Sequence, residues 1–266
     1  MPVIDTVGFH ATKPTTAGAA ATVSTGDSFT LRNFPTTASA KLIQCGLQSQ
    51  DAVPGFVQLI SPRLCNSTTG IKLVALDNPA GNLLPPYALQ SLYPGDVLTV
   101  NVGGSTTTAH TTSGFFQVYY PTLPGATARL HSWGDIAGIV ANIFTQFVAV
   151  DVATAGTWVT VLANHTHDLM EADTTYALLG YNVEKTYLCV GLKGQETGNL
   201  RNVGPGCSRT EVTSNWFVNI SNMTGLPCIP VVNANNRGNI NVTANGGLAV
   251  TSKIGLIWAQ LSTSVS

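Results

Sequence analysis

The chain is built from a succession of short apolar runs, each about four to eight residues long, broken by Gly, Pro, Asn and Ser-rich turns. Many of these runs alternate apolar and polar residues. That period of two suits half-buried β-strands and does not suit helices. In the first half the runs are Ser28–Arg32, Lys41–Cys45, Phe56–Ile60, Ile71–Leu76, Val97–Val102 and Phe115–Tyr120. In the second they are Phe147–Val152, Thr157–Leu162, Tyr176–Val183, Thr186–Leu192, Trp216–Ile220, Pro227–Val232, Asn239–Thr243 and Ile254–Leu261. Pro54-Gly55, Pro94-Gly95 and Pro124-Gly125 punctuate the first half. Gly198–Gly206 reads as a Gly/Pro loop, and Asn245-Gly246-Gly247 reads as the turn of a terminal hairpin. About eight strands per half at this spacing predict an all-β chain of two consecutive eight-stranded jelly rolls, each a β-sandwich.

One stretch has a different period. Ile136, Ile139, Val140, Ile143, Phe144 and Phe147 recur at helical spacing, with Ser132 and Asp135 placed for a capping box. The expectation is a central helix that either joins the two halves or packs into the core. Residues 1–25 are rich in Ala, Thr and Gly without a clear period, and read as an N-terminal arm or a fraying end. The layout is then arm 1–25, first jelly roll 26–125, linking helix 126–147 and second jelly roll 148–266.

Two local echoes connect the halves. Phe56 to Leu73 runs strand, basic residue, Thr-Gly, strand, and Tyr187 to Arg201 follows the same plan. Val97 to Tyr120 runs strand, Gly-Gly, polar segment, aromatic strand, and Ile240 to Leu261 repeats it. Ordered echoes about 130 to 140 residues apart suggest a duplicated β-unit.

Composition limits the function classes. Only 9% of the 266 residues are charged and the net charge is -1, against about 25% charged in an ordinary soluble domain. A surface so poor in charge suggests that other subunits cover much of it. The twelve Lys and Arg are scattered, which argues against a sequence-specific nucleic-acid face. No apolar run approaches a membrane span, and Met1 to Ala21 lack the basic head and apolar core of a signal peptide. Cys45, Cys65, Cys189, Cys207 and Cys228 are odd in number and without a CxxC, which fits buried reduced thiols; one bridge, Cys207 to Cys228, stays open. Sequons at Asn66, Asn164, Asn219, Asn222 and Asn241 are expected by chance in a chain this rich in Asn and Thr.

Reactive chemistry is sparse. No acid pair stands out as a general acid and base, and no nucleophile, phosphate-loop or dinucleotide signature occurs. His165-Thr166-His167-Asp168, with Glu171 nearby, could place two imidazoles on one strand face, but it lacks a clear third ligand. No catalytic residue, cofactor or metal is therefore expected. The densest polar loop is Glu196-Thr197-Gly198-Asn199-Leu200-Arg201; Glu196, Asn199 and Arg201 are candidates for pinning the loop or meeting a neighbouring subunit.

Several segments give a family resemblance. Ile60-Ser61-Pro62-Arg63-Leu64, Tyr93-Pro94-Gly95-Asp96-Val97-Leu98-Thr99-Val100 and Tyr176-Ala177-Leu178-Leu179-Gly180 resemble the double jelly-roll major capsid proteins of prokaryotic icosahedral viruses. Glu196–Arg201 and Gly225-Leu226-Pro227-Cys228-Ile229-Pro230-Val231 do so too. The resemblance spans residues 28 to 262 and implies a virion protein, made in the host cytoplasm. It implies a homotrimer of pseudo-hexagonal outline whose trimers tile an icosahedral shell, often over an internal membrane, with a separate penton protein at the vertices. The polar N-terminus and the short chain depart from the family's usual basic arm and long insertions. Two other classes stay open: a β-sandwich carbohydrate-binding, fibre or adhesin protein, and an enzyme built on a β-sandwich.

Overall fold

The computed structural model describes residues 1–12, 14–22, 30–35, 39–49, 55–61, 70–75, 80–83, 90–104, 106–107, 111–126, 128–163, 169–207 and 210–263. The first half carries β1 (Val3–Thr12), β2 (Ala20–Thr22), β3 (Ala40–Ser49), β4 (Gly55–Ile60), β5 (Ile71–Ala75), β6 (Ala80–Leu83), β7 (Gln90–Leu92), β8 (Thr99–Gly104) and β9 (Thr111–Tyr120). A two-residue strand, β10 (Leu130–His131), and a helical turn, α1 (Trp133–Ile136), lead into the second half. That half carries β11 (Val140–Val152), β12 (Trp158–Leu162), β13 (Thr175–Val183), β14 (Cys189–Leu192) and β15 (Asn202–Pro205). Next come α2 (Thr210–Thr213), α3 (Trp216–Thr224), β16 (Ile229–Asn233), β17 (Asn241–Asn245) and β18 (Val250–Leu261).

The strand order is the same in both halves. In the first, β1-β9-β3-β6 form one sheet, with β7 also on β3, and β2-β8-β4-β5 form the other. In the second, β11-β18-β13-β16 form one sheet, extended by β10, and β12-β17-β14-β15 form the other. If β6 and β7 count as one interrupted strand, each half pairs its first, eighth, third and sixth strands, and its second, seventh, fourth and fifth. That is the jelly-roll order. Every pairing between named strands is antiparallel. Each roll thus has a long sheet, containing β1 or β11, and a short sheet, containing β2 or β12.

Alternation explains the packing. Along β11, Gln146, Val148, Val150 and Val152 are buried, whereas Thr145, Phe147, Ala149 and Asp151 are exposed. In the first roll Phe9 stacks on Phe116 with centroids 5.4 Å apart. In the second, the Tyr181 hydroxyl donates to the Pro205 carbonyl at 2.9 Å and bridges the two sheets. Cys45, Cys189, Cys207 and Cys228 are buried free thiols, so no bridge joins Cys207 to Cys228, and Cys65 lies outside the described residues.

Several local expectations are corrected. The helix expected over Ser132–Phe147 is a single turn followed by a 3-10 turn at Ala137–Ile139 and then strand β11. The capping box is present: the Ser132 amide and hydroxyl donate to Asp135 Oδ2 at 3.0 and 2.7 Å. Those bonds also hold the Asp135 carboxyl below its usual pKa. The helix stops because Val140 to Val152 instead finds a partner strand, β18, over nearly its whole length. Ile143 and Phe147, expected on a buried helical face, are exposed.

Residues 3–12 are not an arm. β1 pairs with β9 from Val3↔Tyr120 to Thr12↔Thr111 and is mostly buried, so the first roll begins at residue 3. Trp216–Ile220, expected as a strand, is the start of α3, which buries Trp216, Phe217 and Ile220 and ends at Gly225 with φ of 68°. β15 lies inside the expected Gly198–Gly206 loop. The expected terminal hairpin is not one, because β17 and β18 belong to different sheets. Of the run Ser28–Arg32, residues 28 and 29 fall outside the described residues; Thr30 forms an isolated bridge with Val97, and Leu31 and Arg32 lie in no strand.

The left-handed conformation at Gly225 gives a local test. Gly225→Ala should lower stability by about 1 kcal/mol, because a Cβ is strained there even in open space. At Gly138 an added Cβ meets nothing, and Gly138→Ala should stay within about 0.5 kcal/mol of the parent when both variants are compared by urea titration.

Candidate assembly surfaces

The two rolls meet face to face. On the long sheet of the first roll, Gly8, Phe115 and Gly46 lie side by side, and Thr6, Gln117 and Gln44 form the next row. This face packs on the short sheet of the second roll. Phe115 is fully buried in a cluster with Leu188, Cys189 and Val203, with Trp158 against its edge. Glycines make the close approach possible. A Cβ on Gly46 would stand 2.0 Å from the Phe115 ring, and one on Gly8 would stand 2.9 Å from Trp158 Nε1.

Amides fill the rest of the seam. The Gln44 side chain donates to Gln117 Oε1 and, at 3.2 Å, to the Val203 carbonyl. Gln117 Nε2 donates to that same carbonyl at 2.5 Å. Asn202, also buried, donates to the Cys228 carbonyl at 3.0 Å. The Thr6 hydroxyl donates to the Arg201 carbonyl at 2.7 Å. The two arginines stay at the rim, and Asp5, which is buried, pairs with one of them. Arg32 Nε lies 2.5 Å from Asp5 Oδ2, and the Arg201 guanidinium covers the Trp158 ring at 4.2 Å. Burial raises the Asp5 pKa, against the pull of Arg32.

The structure separates the residues of the polar loop. Arg201 and Asn199 line a cleft of about 330 Å³ at the seam, together with Asp5, Arg32 and Tyr120. Glu196 lines a different cleft of about 770 Å³ with Arg129, Leu130, His131 and Val232. No ion pair links Glu196 to Arg201 among the described residues. Glu196 instead holds the segment between the rolls, since its carbonyl accepts the Arg129 amide at 2.7 Å and Ala128 bridges Thr197. Asn199 turns the loop with φ of 59°, and its amide donates to Gly194 O at 2.7 Å. The Thr197 hydroxyl donates to the Leu200 carbonyl at 2.7 Å and accepts the Gly194 amide at 3.0 Å. Glu196 is 7% exposed, and burial raises its pKa.

His165, His167 and Asp168 lie outside the described residues, as do the sequons at Asn66 and Asn164. Asn219 and Asn222 stand exposed on α3, and Asn241 is half-buried on β17. Among the described residues no group of three or more His, Cys, Asp or Glu is placed to hold a metal, and no helix is long and apolar enough to cross a membrane. Sequence reasoning missed the seam residues Phe115, Gln44, Gln117 and Trp158. Only the flanking glycines of Phe115 carried a signal, because glycine inside a strand marks a close approach.

No family model matches the sequence, and no curated protein matches it. Among solved structures, the chain is similar to a pilus of Bacillus endospore appendages at 17% identity and TM-score 0.28, over 45% of this chain and 88% of that one. A Helicobacter pylori bacteriophage capsid superposes at 9% identity and TM-score 0.28, over 46% and 95%. The major capsid protein of bacteriophage PM2 superposes at 7% identity and TM-score 0.23, over 98% of both chains. The jelly-roll architecture follows from the strand order.

Two substitutions test the surfaces. Gln117→Ala strips the seam of its central amide and removes one of the two acceptors of Gln44, leaving it the Val203 carbonyl alone; it should cost about 1 to 3 kcal/mol in chemical denaturation. Glu196 is an acid with a raised pKa, so the folded state holds its proton more tightly than the unfolded chain does. Its contribution to stability is therefore lost as pH rises from the ordinary value of 4.5 through the raised one. Glu196→Gln should accordingly be at least as stable as the parent at about pH 8, and the gap should close towards about pH 4 in melts across that range.

Proposed function

We propose that this chain is a structural coat subunit that assembles with copies of itself as a homotrimer of pseudo-hexagonal outline, which tiles an icosahedral virus shell. The observation that carries the reading is the tandem of two rolls with one strand order, fused through a buried, nearly charge-free seam. Two like units in one chain supply six units from three copies, which is how a trimer obtains a hexagonal outline. The composition supports it as well. A chain with 9% charged residues loses little hydration free energy when its surface is covered by other subunits.

In this reading the protein catalyses nothing and holds no cofactor. The polar loop is structural: Glu196 fixes the segment between the rolls, and Arg201 caps Trp158 at the seam. The protein's place is the virion shell, and its partners are its own copies, neighbouring trimers and a separate vertex protein. An internal membrane beneath the shell belongs to the same proposal.

Light scattering on the purified native protein, with negative-stain images of the same fraction, tests it. The expected result is a particle of three chain masses with a hexagonal outline, or closed shells. A compact monomer that persists at high concentration would overturn the proposal and favour a sugar-binding or adhesin sandwich, which a glycan screen would then address.

A further inference from the structure

The twelve Lys and Arg are scattered along the sequence, but the fold brings three of them to one place. Arg32, Lys193 and Arg201 all line the cleft of about 330 Å³ at the seam. Arg32 comes from the first roll, between β2 and β3. Lys193 directly follows β14 of the second roll, and Arg201 directly precedes β15. Among the described residues that line the cleft, the one acid is Asp5, on β1. Three cations against one carboxylate leave an excess of two positive charges, in a chain whose net charge is -1. Like charges gathered in a cleft repel more strongly than charges spread in open water, so this excess favours a negative ligand.

The groups left unanswered there are donors. Asp5 takes the Nε–H of Arg32, and the terminal nitrogens of that guanidinium have no partner among the described residues. The Lys193 ammonium has no carboxylate partner among them either, although its backbone is anchored by a 3.1 Å bond from its amide to the Asn241 carbonyl. The Arg32 side chain is 49% exposed, so a ligand can reach it. Arg201 is held in place by Trp158, whose ring its guanidinium covers. The Tyr120 hydroxyl, also at the cleft, accepts the Arg32 amide at 3.2 Å, and its own hydrogen has no acceptor among the described residues. Tyr120 is 2% exposed, and burial pushes its pKa up to about 12, so at neutral pH it is a donor. N–H and O–H donors with excess positive charge complement an oxyanion. A carboxylate or chloride answers one charge. A phosphate group carries about -1.5 to -2 at pH 7 and offers three strong acceptor oxygens, which matches both the excess and the donors.

We infer that this cleft binds a phosphate dianion, free or as a small phosphomonoester, through Arg32 of the first roll and Lys193 of the second, beside the stacked Arg201. The ligand touches both rolls at once, so it clamps the seam from outside. Because it binds the folded tandem and not the unfolded chain, it raises the melting temperature. The site lies within one chain and stands whether or not the protein assembles.

Isothermal titration with inorganic phosphate, and separately with adenosine 5′-monophosphate, tests it, with sodium chloride holding the ionic strength constant. The parent should show saturable binding of one equivalent and a melting temperature that rises and levels off with the same midpoint. Lys193→Ala should weaken that binding about tenfold or more, and Lys193→Glu should abolish it. Lys253→Ala, which removes an exposed cation far along the chain from the cleft, should bind as the parent does. If Lys193→Ala fails to fold by circular dichroism, Lys193→Met removes the charge and keeps the packing of the stem. Phosphate also stabilises proteins by exclusion from their surface, but that effect neither saturates nor depends on Lys193. Tighter binding of the nucleotide than of free phosphate would support the site and assign an esterified source; equal binding would support it with free phosphate as sufficient. No saturable binding of either up to about 10 mM would overturn the inference. So would binding that the Lys193 variants leave unchanged, or that Lys253→Ala weakens equally.

Discussion

The stacking of the first roll's long sheet on the second roll's short sheet holds this molecule together. Phe115 is its centre, and the contact is close because Gly8 and Gly46 flank the ring and leave room for it and for Trp158. Two sandwiches joined only by a short linker would move independently. Here a buried aromatic cluster and a chain of amide hydrogen bonds cross the boundary, so separating the rolls would expose the ring to water and exchange those bonds for bonds to water. Burying the ring contributes about 1.5 to 3 kcal/mol and each hydrogen bond a net of about 1 kcal/mol, which makes the two rolls one mechanical unit.

The chemistry of that boundary fits the chain's low charge. An amide buried in a seam keeps its hydrogen bonds at modest cost, while a buried ion loses hydration that a single partner seldom restores. The seam therefore uses Gln44, Gln117 and Asn202 inside and leaves Arg32 and Arg201 at the edge, where Arg32 pairs with the buried Asp5. Asp5 and Glu196, the carboxylates at or near the joint, both have raised pKa values because burial disfavours their charge. The linker is fixed by the same economy of charge: Glu196 grips it through a backbone carbonyl and not through its carboxylate.

Much of the fold was legible in the amino-acid pattern, and the errors share a cause. The echo between Phe56–Leu73 and Tyr187–Arg201 falls on β4–β5 and β14–β15, and the echo between Val97–Tyr120 and Ile240–Leu261 falls on β8–β9 and β17–β18. These are topologically equivalent pairs, so the duplication was visible even in turns. The helix expected at Ser132–Phe147 failed because six apolar positions there satisfy a helical period while the tail also satisfies a period of two. Pairing with β18 decided between them. Trp216–Ile220 was misread because four apolar residues interrupted only by Asn219 carry no clear period of their own; the Gly225 stop was the overlooked sign. β1 and β15 were missed because strands buried on both faces, or as short as Asn202–Pro205, need not alternate.

By itself the sequence determined that the chain is all-β, that it is built twice over, and that it carries few charges. Strand period, turn residues and composition are local properties that survive any arrangement of the sheets. Only the tertiary structure decided which faces are covered. Phe115 and Phe147 are both strand aromatics next to a glycine across the sheet, yet one is sealed inside the seam and the other stands in solvent. No local signal distinguishes them, because burial of a sheet's second face depends on what another sheet, far away in the chain, is free to pack against.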